Sequence, residues 1–428
     1  MRILILGINY APEIISTAVY TTGLAEMLAE AGHDVRVITA QPYFPAWKVM
    51  AGWPRFTYRS ERPRSDLPKL QVTHCPLYVP TNPTGARRIL HHLSFALTAL
   101  PRALWAALTK RPDLVMVIAP SMMSALAGIP AARISGAKTW LHIQDYEVEA
   151  AFATGLLKED SRVGRTAKGF EAWVLKRFDR ISSISGPMLA KLAEKGVAAS
   201  KVFELRNWAN LAKVTPMTGR SPMCEELGIT TPHVALYSGN LANKQGLEII
   251  PQVARLLAHR QDLTFAICGD GSFKAELTQL SEGLDNIRFF PLQPLERFSD
   301  TLGMATVHLL PQIAGAADLV LPSKLTNMLA SGRPVIATAE PGTALAGEVE
   351  GCGAVTRPGD AVALAAAIEA LIDEPALCAT YGAAARARAY ERWDSAAIFA
   401  RFEAEIQHLI RTKDQTPVAA SEGLKDHR

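Results

Sequence analysis

Cysteine is scarce in this 428-residue chain: Cys75, Cys224, Cys268, Cys352 and Cys378 are odd in number, scattered and never in a C-x-x-C pair. That excludes a disulfide framework and a C-x-x-C zinc site, and it fits reduced thiols in a cytosol. A long hydrophobic run is also missing. The most apolar stretch, Leu93 to Leu108, is 16 residues and is broken by Pro101 and Arg102, against about 20 for a spanning helix. The opening MRILILGINY reaches Asn9 too soon for a signal-peptide apolar region and reads as a first strand. The loop after that strand lacks the G-x-G-x-x-G that a dinucleotide fold needs for its tight turn and close pyrophosphate approach, which argues against a nicotinamide dehydrogenase. Aromatic residues are 7% of the chain, and no Arg/aromatic motif of an RNA-binding module occurs, so nucleic acid is not an expected partner.

What is present is an apolar chain, 49% hydrophobic and 20% charged, long enough for two domains of roughly 200 residues each. The net charge of +4 hides an asymmetry: 26 Lys and Arg against 16 Asp and Glu up to residue 210, or +10, then 19 against 25, or −6. A basic first half suits an anionic surface or substrate. Short apolar runs alternate with helical patterns: Ile3–Leu6, Val35–Thr39, Val72–Cys75, Leu114–Ala119, Thr139–Ile143 and Ile181–Ile184, then Val234–Ser238, Thr264–Cys268, Ile287–Phe290, Val307–Leu310 and Val335–Thr338. Strands this apolar, spaced by helices, predict parallel sheets covered on both faces, hence two doubly wound α/β domains.

The pattern places an N-terminal domain over 1–207, a polar, Pro-containing linker over 208–233, a second domain over 234–393, a helix over 394–413 and a frayed polar tail over 414–428. In that last helix Ile398, Phe399, Phe402, Ile406 and Leu409 share one face and must pack on something. The segment 86–113 has an apolar middle and basic ends. Two readings stay open: a core helix before the Leu114 strand, or a surface helix seated among anionic lipid headgroups through Arg87, Arg88, Arg102, Lys110 and Arg111.

Candidate sites fall at the carboxyl ends of strands, where ligands bind in open α/β folds. After the first strand these are Asn9, Glu13, Ser16 and Thr17; His33, beside Gly32, reads as a helix-end residue favoured by the dipole. In LYSGNLANKQGLEII, Lys244 and Gly246 precede a helix, so the lysine and nearby backbone N–H groups can reach a diphosphate. FAICGDGSF adds a glycine turn at Gly269 and Gly271. In LPSKLTNMLASGRPVIATA, Ser323 is positioned to cap a helix, yet Lys324 adds a charge where the helix dipole is already positive. Either an anion sits there, or the lysine swings into water. In WLHIQDYEVE, His142 and Gln144 share a strand face and Asp145 begins the loop.

Taken together and in this order, GHDVRVITA, YSGNLANKQGLEII, AICGDG and PSKLTNMLASGRPVIATA resemble the family 4 retaining glycosyltransferases of GT-B fold. GINYAPE, LHIQDYEVEAAFATGLL and DLVLPSKLTNMLASGRPVIATA look like the WcaI-type exopolysaccharide branch, known from colanic acid synthesis; the resemblance runs from Met1 to about residue 410.

The resemblance implies two Rossmann-like domains facing a central cleft, with a C-terminal helix crossing back. It implies transfer of a sugar from a nucleotide diphosphate donor, GDP-fucose or a UDP-sugar, to a polyprenyl-diphosphate-linked oligosaccharide, with retention and with neither cofactor nor metal. The enzyme would work in the cytoplasm, peripherally on the inner face of the cytoplasmic membrane. Catalytic roles fall to Asp145, Lys244 and Lys324. Donor contacts fall to Asn240, Lys244, Gly269, Gly271, Asn327 and the helix start at Ser323, Lys324 and Leu325. Asn9, Glu13, Ser16, Thr17, His142 and Gln144 face the acceptor. The chain departs from the family pattern where Asn240 replaces an arginine, and where Asn327 and Leu319, beside Asp318, replace the two glutamates of E-x7-E. Two other functions are compatible with the same architecture: a nucleotide-sugar 2-epimerase, which needs no acceptor, and a non-catalytic nucleotide-sugar-binding partner of a polysaccharide assembly complex.

Overall fold

The computed structural model describes residues 1–153, 161–209, 211, 214–242, 245–314 and 321–414. The chain divides into two compact units: one holds Met1–Ile184, Lys191–Leu205 and Phe399 onward, the other Ser185–Ala190 and Arg206–Ile398.

Unit 1 is built on eight strands: β1 (Arg2–Gly7), β2 (Asp34–Ala40), β3 (Arg59–Glu61), β4 (Leu70–Cys75), β5 (Leu114–Ala119), β6 (Lys138–Ile143), β7 (Arg180–Ser183) and β8 (Val202–Glu204). They lie in the order β3-β4-β2-β1-β5-β6-β7-β8, with only β3 antiparallel to its neighbour. Every residue of β5 is buried, as is all of β1 after Arg2. Such strands can exist only beneath helices on both faces, which is why they read as unbroken apolar runs. The strand order reverses at β1, so a topological switch point lies between the carboxyl ends of β1 and β5.

The final helix, Ser395–Asp414, lays Phe402, Ile406 and Leu409 into unit 1. Phe402 meets the fully buried Trp140 edge to face at 5.0 Å, and Arg180 pairs with Glu405. His33 has its Nε2 2.9 Å from Glu403 on that helix. It therefore does more than end its own helix.

Unit 2 carries a six-stranded parallel sheet of β9 (His233–Ser238), β10 (Leu263–Cys268), β11 (Ile287–Phe290), β12 (Val307–Leu310), β13 (Val335–Thr338) and β14 (Gly353–Thr356), in the order β11-β10-β9-β12-β13-β14. Alternation along β9 feeds two cores: Ala235 and Tyr237 join Phe265, Ile267 and Leu309 on one face, while Val234 and Leu236 join Ala266 and Cys268 on the other. The switch point here is between β9 and β12.

The stretch 208–233, expected as a linker, is woven into these cores. Leu211 and Val214 pack with Leu310 and Leu325, and Met223, Cys224 and Ile229 pack under β9. Its apolar residues sit at irregular spacings, so no period announced them. None of the five cysteines forms a disulfide. Among the described residues no helix is long and apolar enough to cross a membrane.

Candidate functional site

At the unit 2 switch point, β9 ends in Tyr237 and Ser238 with Gly239 directly after it, and the helix Ser323–Ala330 starts beyond β12. Lys324 is folded back over the strand end. Its Nζ lies 4.2 Å from the centre of the Tyr237 ring, donates to the Tyr237 hydroxyl and reaches Gln245 Oε1 at 3.2 Å. The Tyr237 hydroxyl in turn donates to the Asn240 carbonyl at 2.7 Å. Among the described residues every partner is neutral. Burial pulls the ammonium down to about 8. A cation so placed is short of a counter-charge, and an incoming anion supplies one.

Gly239, at φ 139°, makes room for the lysine: a Cβ there would stand 2.6 Å from Lys324 Cε. Two of the glycines expected at the donor also pack closely against neighbouring backbone. A Cβ on Gly269 would lie 2.0 Å from the Gly239 carbonyl oxygen, and one on Gly271 would lie 2.2 Å from that of Leu241. The N–H of Gly269 donates to Phe290, and that of Gly271 to the Asp270 carboxylate. These glycines nest the β9 and β10 loops together, with their own N–H groups already used.

The helix start also differs in detail from expectation. Pro322 is the N-cap residue, Ser323 is already helical, and the cap residue makes no side-chain hydrogen bond to the helix, because proline at the cap has no side-chain acceptor to offer. Leu325 gives its N–H to the Pro322 carbonyl at 2.9 Å and buries its side chain completely, so it anchors the helix and presents nothing outward. Asn327 is half-buried one turn beyond Lys324. Asn240 is exposed just past β9. Lys244, Asp318 and Leu319 lie outside the described residues.

In unit 1, Glu13 is buried at the carboxyl edge of β1. Its carboxylate accepts from Asn9 Nδ2 at 2.7 Å and from the N–H groups of Tyr43 and Phe44, both at 2.8 Å. Burial raises its pKa, and the N–H of Phe44, the Asn9 amide and the N–H of Tyr43 oppose that rise. Glu13 and Asn9 thus lock the β1 loop to the β2 loop. Thr17 lies in the first turn of the helix Ser16–Glu30, its carbonyl taken by Thr21 Oγ1 at 2.6 Å. Ser16 begins that helix.

His142 is buried against Ser182, Nδ1 to Oγ 2.9 Å, and burial lowers its pKa to about 3. It stays neutral near pH 7 and is a satisfied core histidine. Gln144 is likewise buried, its N–H directed to the Ala119 carbonyl at 3.4 Å. Asp145 is exposed at the carboxyl end of β6.

Beside Glu13 lies a cluster that sequence reasoning missed. His91 packs 4.5 Å from the Tyr43 ring and 5.3 Å from the Trp47 ring. Its Nδ1 is 2.6 Å from the Tyr78 carbonyl, and burial lowers its pKa to about 4. His92 Nε2 meets Glu147 at 2.8 Å. Trp47 is held at φ 48°, a left-handed conformation that a bulky residue adopts only at a cost, and Arg88 lies 5.7 Å over its ring. The only sequence signal was a His-His pair inside a segment otherwise read for its apolar middle and basic ends.

Comparison with known proteins now decides the class. Residues 17–208 match the glycosyl transferase 4-like domain, and residues 232–374 match glycosyl transferases group 1. The chain is 40% identical over 380 residues to the colanic acid biosynthesis glycosyl transferase WcaI of Escherichia coli K12, covering 87% of this chain and 90% of that one. It belongs to the family 4, WcaI-type glycosyltransferases. Solved structures show the GT-B fold. Sucrose-phosphate synthase from Thermosynechococcus elongatus superposes with TM-score 0.72 at 18% identity, covering 96% of this chain and all of that one. HepE from Anabaena in complex with UDP gives 0.67 at 16%, covering 95% and all. In this transferase the Lys324 seat therefore lies in the group 1 match and the His91 cluster in the 4-like match, with Glu13 just ahead of the latter.

Proposed function

We propose that this glycosyltransferase moves a sugar, with retention at the anomeric carbon, from a nucleoside diphosphate sugar to a polyprenyl-diphosphate-linked oligosaccharide in exopolysaccharide assembly. It acts at the inner face of the cytoplasmic membrane. The observation that carries the donor half is Lys324: an ammonium shifted down by burial, with neutral partners among the described residues, at the start of a helix whose cap residue is proline, on the switch point of the unit 2 sheet. Helix N-termini and lysines at such an edge bind phosphate oxygens. The relative named for colanic acid synthesis supports the exopolysaccharide role, and HepE, solved with UDP, supports a nucleotide donor. GDP-fucose or a UDP-sugar fits this chemistry equally.

As the bond to the diphosphate breaks, negative charge grows on the leaving oxygen. Lys324 turns from Tyr237 toward it, and the N-terminal end of the Ser323–Ala330 helix adds its positive dipole. Lys244 joins them, and Asn327 and Asn240 contact the donor. The departing phosphate takes the proton of the incoming hydroxyl on the same face, which keeps the anomeric configuration and needs no protein nucleophile. Asp145 orients that hydroxyl, and Trp47, Arg88 and the His91 cluster form the floor beneath the acceptor. Catalysis is then positioning and charge stabilisation, without a metal.

The test is a transfer assay with a lipid-diphosphate-linked oligosaccharide and a panel of GDP- and UDP-sugars, run with and without chelator. NMR reads the anomeric configuration of the product. An elongated acceptor with retained configuration is expected. An epimerised sugar formed from donor alone would replace this reading with an epimerase.

A further inference from the structure

The helix Gly85–Lys110 is apolar on two opposite sides. One side packs into unit 1 through His91, His92, Phe95, Ala96, Ala99, Ala103, Ala106 and Ala107. Leu90, Leu97, Trp105 and Leu108 point the other way, 50%, 61%, 66% and 63% exposed. Spacings of seven, eight and three residues at about 100° per residue hold these four in one narrow sector, and a rise of 1.5 Å per residue makes the stripe about 27 Å long. The choice of residues is the reverse of what a water-facing helix uses, with the small alanines inside and the large apolar side chains outside.

Neighbouring segments widen the stripe. The Tyr58 hydroxyl donates to the Thr98 carbonyl at 2.9 Å and brings up Phe56, which is 80% exposed. The N–H of Tyr78 donates to Ser94 at 2.8 Å beside the stripe, and its ring is 41% exposed. Contiguous exposed apolar surface of this kind on a folded chain marks an interaction site.

The charges select the partner. The helix carries Arg87, Arg88, Arg102 and Lys110, with Arg111 directly after it, and not one Asp or Glu among its 26 residues. All five cations are exposed. A protein partner would be met by mixed charges, whereas a row of leucines with a tryptophan, on a helix whose charges are all positive, matches acyl chains beneath anionic headgroups. Arg102, inside the row, rests 4.3 Å over the Tyr58 ring, so its head lies beside the stripe and its stem covers apolar surface.

We infer that the outward face of Gly85–Lys110 lies in the plane of an anionic bilayer, sinking Leu90, Leu97, Trp105 and Leu108 to the acyl boundary. This deepens the reading of a lipid-borne acceptor, because the helix would hold unit 1 at the surface from which that acceptor projects. The test needs neither donor nor acceptor, so its failure and the failure of the transferase reading are separable.

The purified full chain is sedimented with vesicles of phosphatidylcholine alone or mixed with phosphatidylglycerol. Partition to the mixed vesicles at least about tenfold above the neutral ones, falling as salt is raised, is expected. The double variant Leu97→Glu, Leu108→Glu should lose that partition while keeping its melting temperature, since both side chains are exposed. Brominated lipid should quench the wild type more than Trp105→Phe. Wild-type protein left in the supernatant at low salt would overturn the inference, as would a double variant that binds like wild type. A wild-type dimer that the double variant converts to monomer, without vesicle binding, would assign the stripe to a second copy of the chain and overturn it too.

Discussion

Lys324 is the residue on which the proposed donor site turns. With its ammonium pulled down to about 8 in the free protein, an anion that restores a counter-charge must bind the protonated form more tightly. Affinity for a nucleoside diphosphate should therefore hold below pH 8 and fall above it by up to about tenfold per pH unit. Lys324→Met should bind weakly at every pH and show no such break, which isothermal titration between pH 6.5 and 9.5 would read. A charge at the positive end of a helix dipole is visible in sequence, and so Lys324 was legible. Its partners were not: Tyr237 and Gln245 are 87 and 79 residues away, and only the folded sheet brings them together. The partners of Glu13 were hidden for the same reason. Its carboxylate is held by N–H groups 30 and 31 positions on, so it braces the edge on which it lies.

At the scale of elements, β5, β12 and β13, buried along their whole length, begin and end where the apolar runs do, and so does the edge strand β11 despite its exposed Arg288. Those missed are β3 and β8, three residues each at the margins of their sheet, and β14, only half-buried in its middle. A strand this short or this exposed carries no long apolar run for a sequence to reveal. The glycine loops were legible as turns but not as a nested pair. Their packing makes a sharp prediction: Gly269→Ala, whose Cβ would stand 2.0 Å from the backbone oxygen of Gly239, should destabilise the chain by about 1–3 kcal/mol. Donor binding should weaken with it, because the displaced Gly239 supports Lys324. Urea unfolding and the same titration would show both, and a variant as stable as wild type would refute the nesting.

For the whole molecule, the chain ends by adding a helix to the unit in which it began. An amphipathic last helix was legible from its five apolar residues; its partners Trp140, Arg180 and His33 were not, since each lies more than 200 positions away. Phe402 is completely buried against Trp140, and Phe402→Ala should cost about 3–5 kcal/mol, read as a lower denaturant midpoint. The charge asymmetry belongs to this scale as well, with the basic half carrying the outward face of Gly85–Lys110 and the acidic half carrying the lysine seat. The most direct measurement is thermal stabilisation of the wild type and of Lys324→Met by GDP, UDP, dTDP, CMP and NAD. One nucleoside diphosphate, at about 100 times its dissociation constant, should stabilise the wild type by roughly 2.7 kcal/mol and leave the variant almost unmoved. Stabilisation of both proteins alike, or of neither by any nucleoside diphosphate, would contradict a donor site built on Lys324.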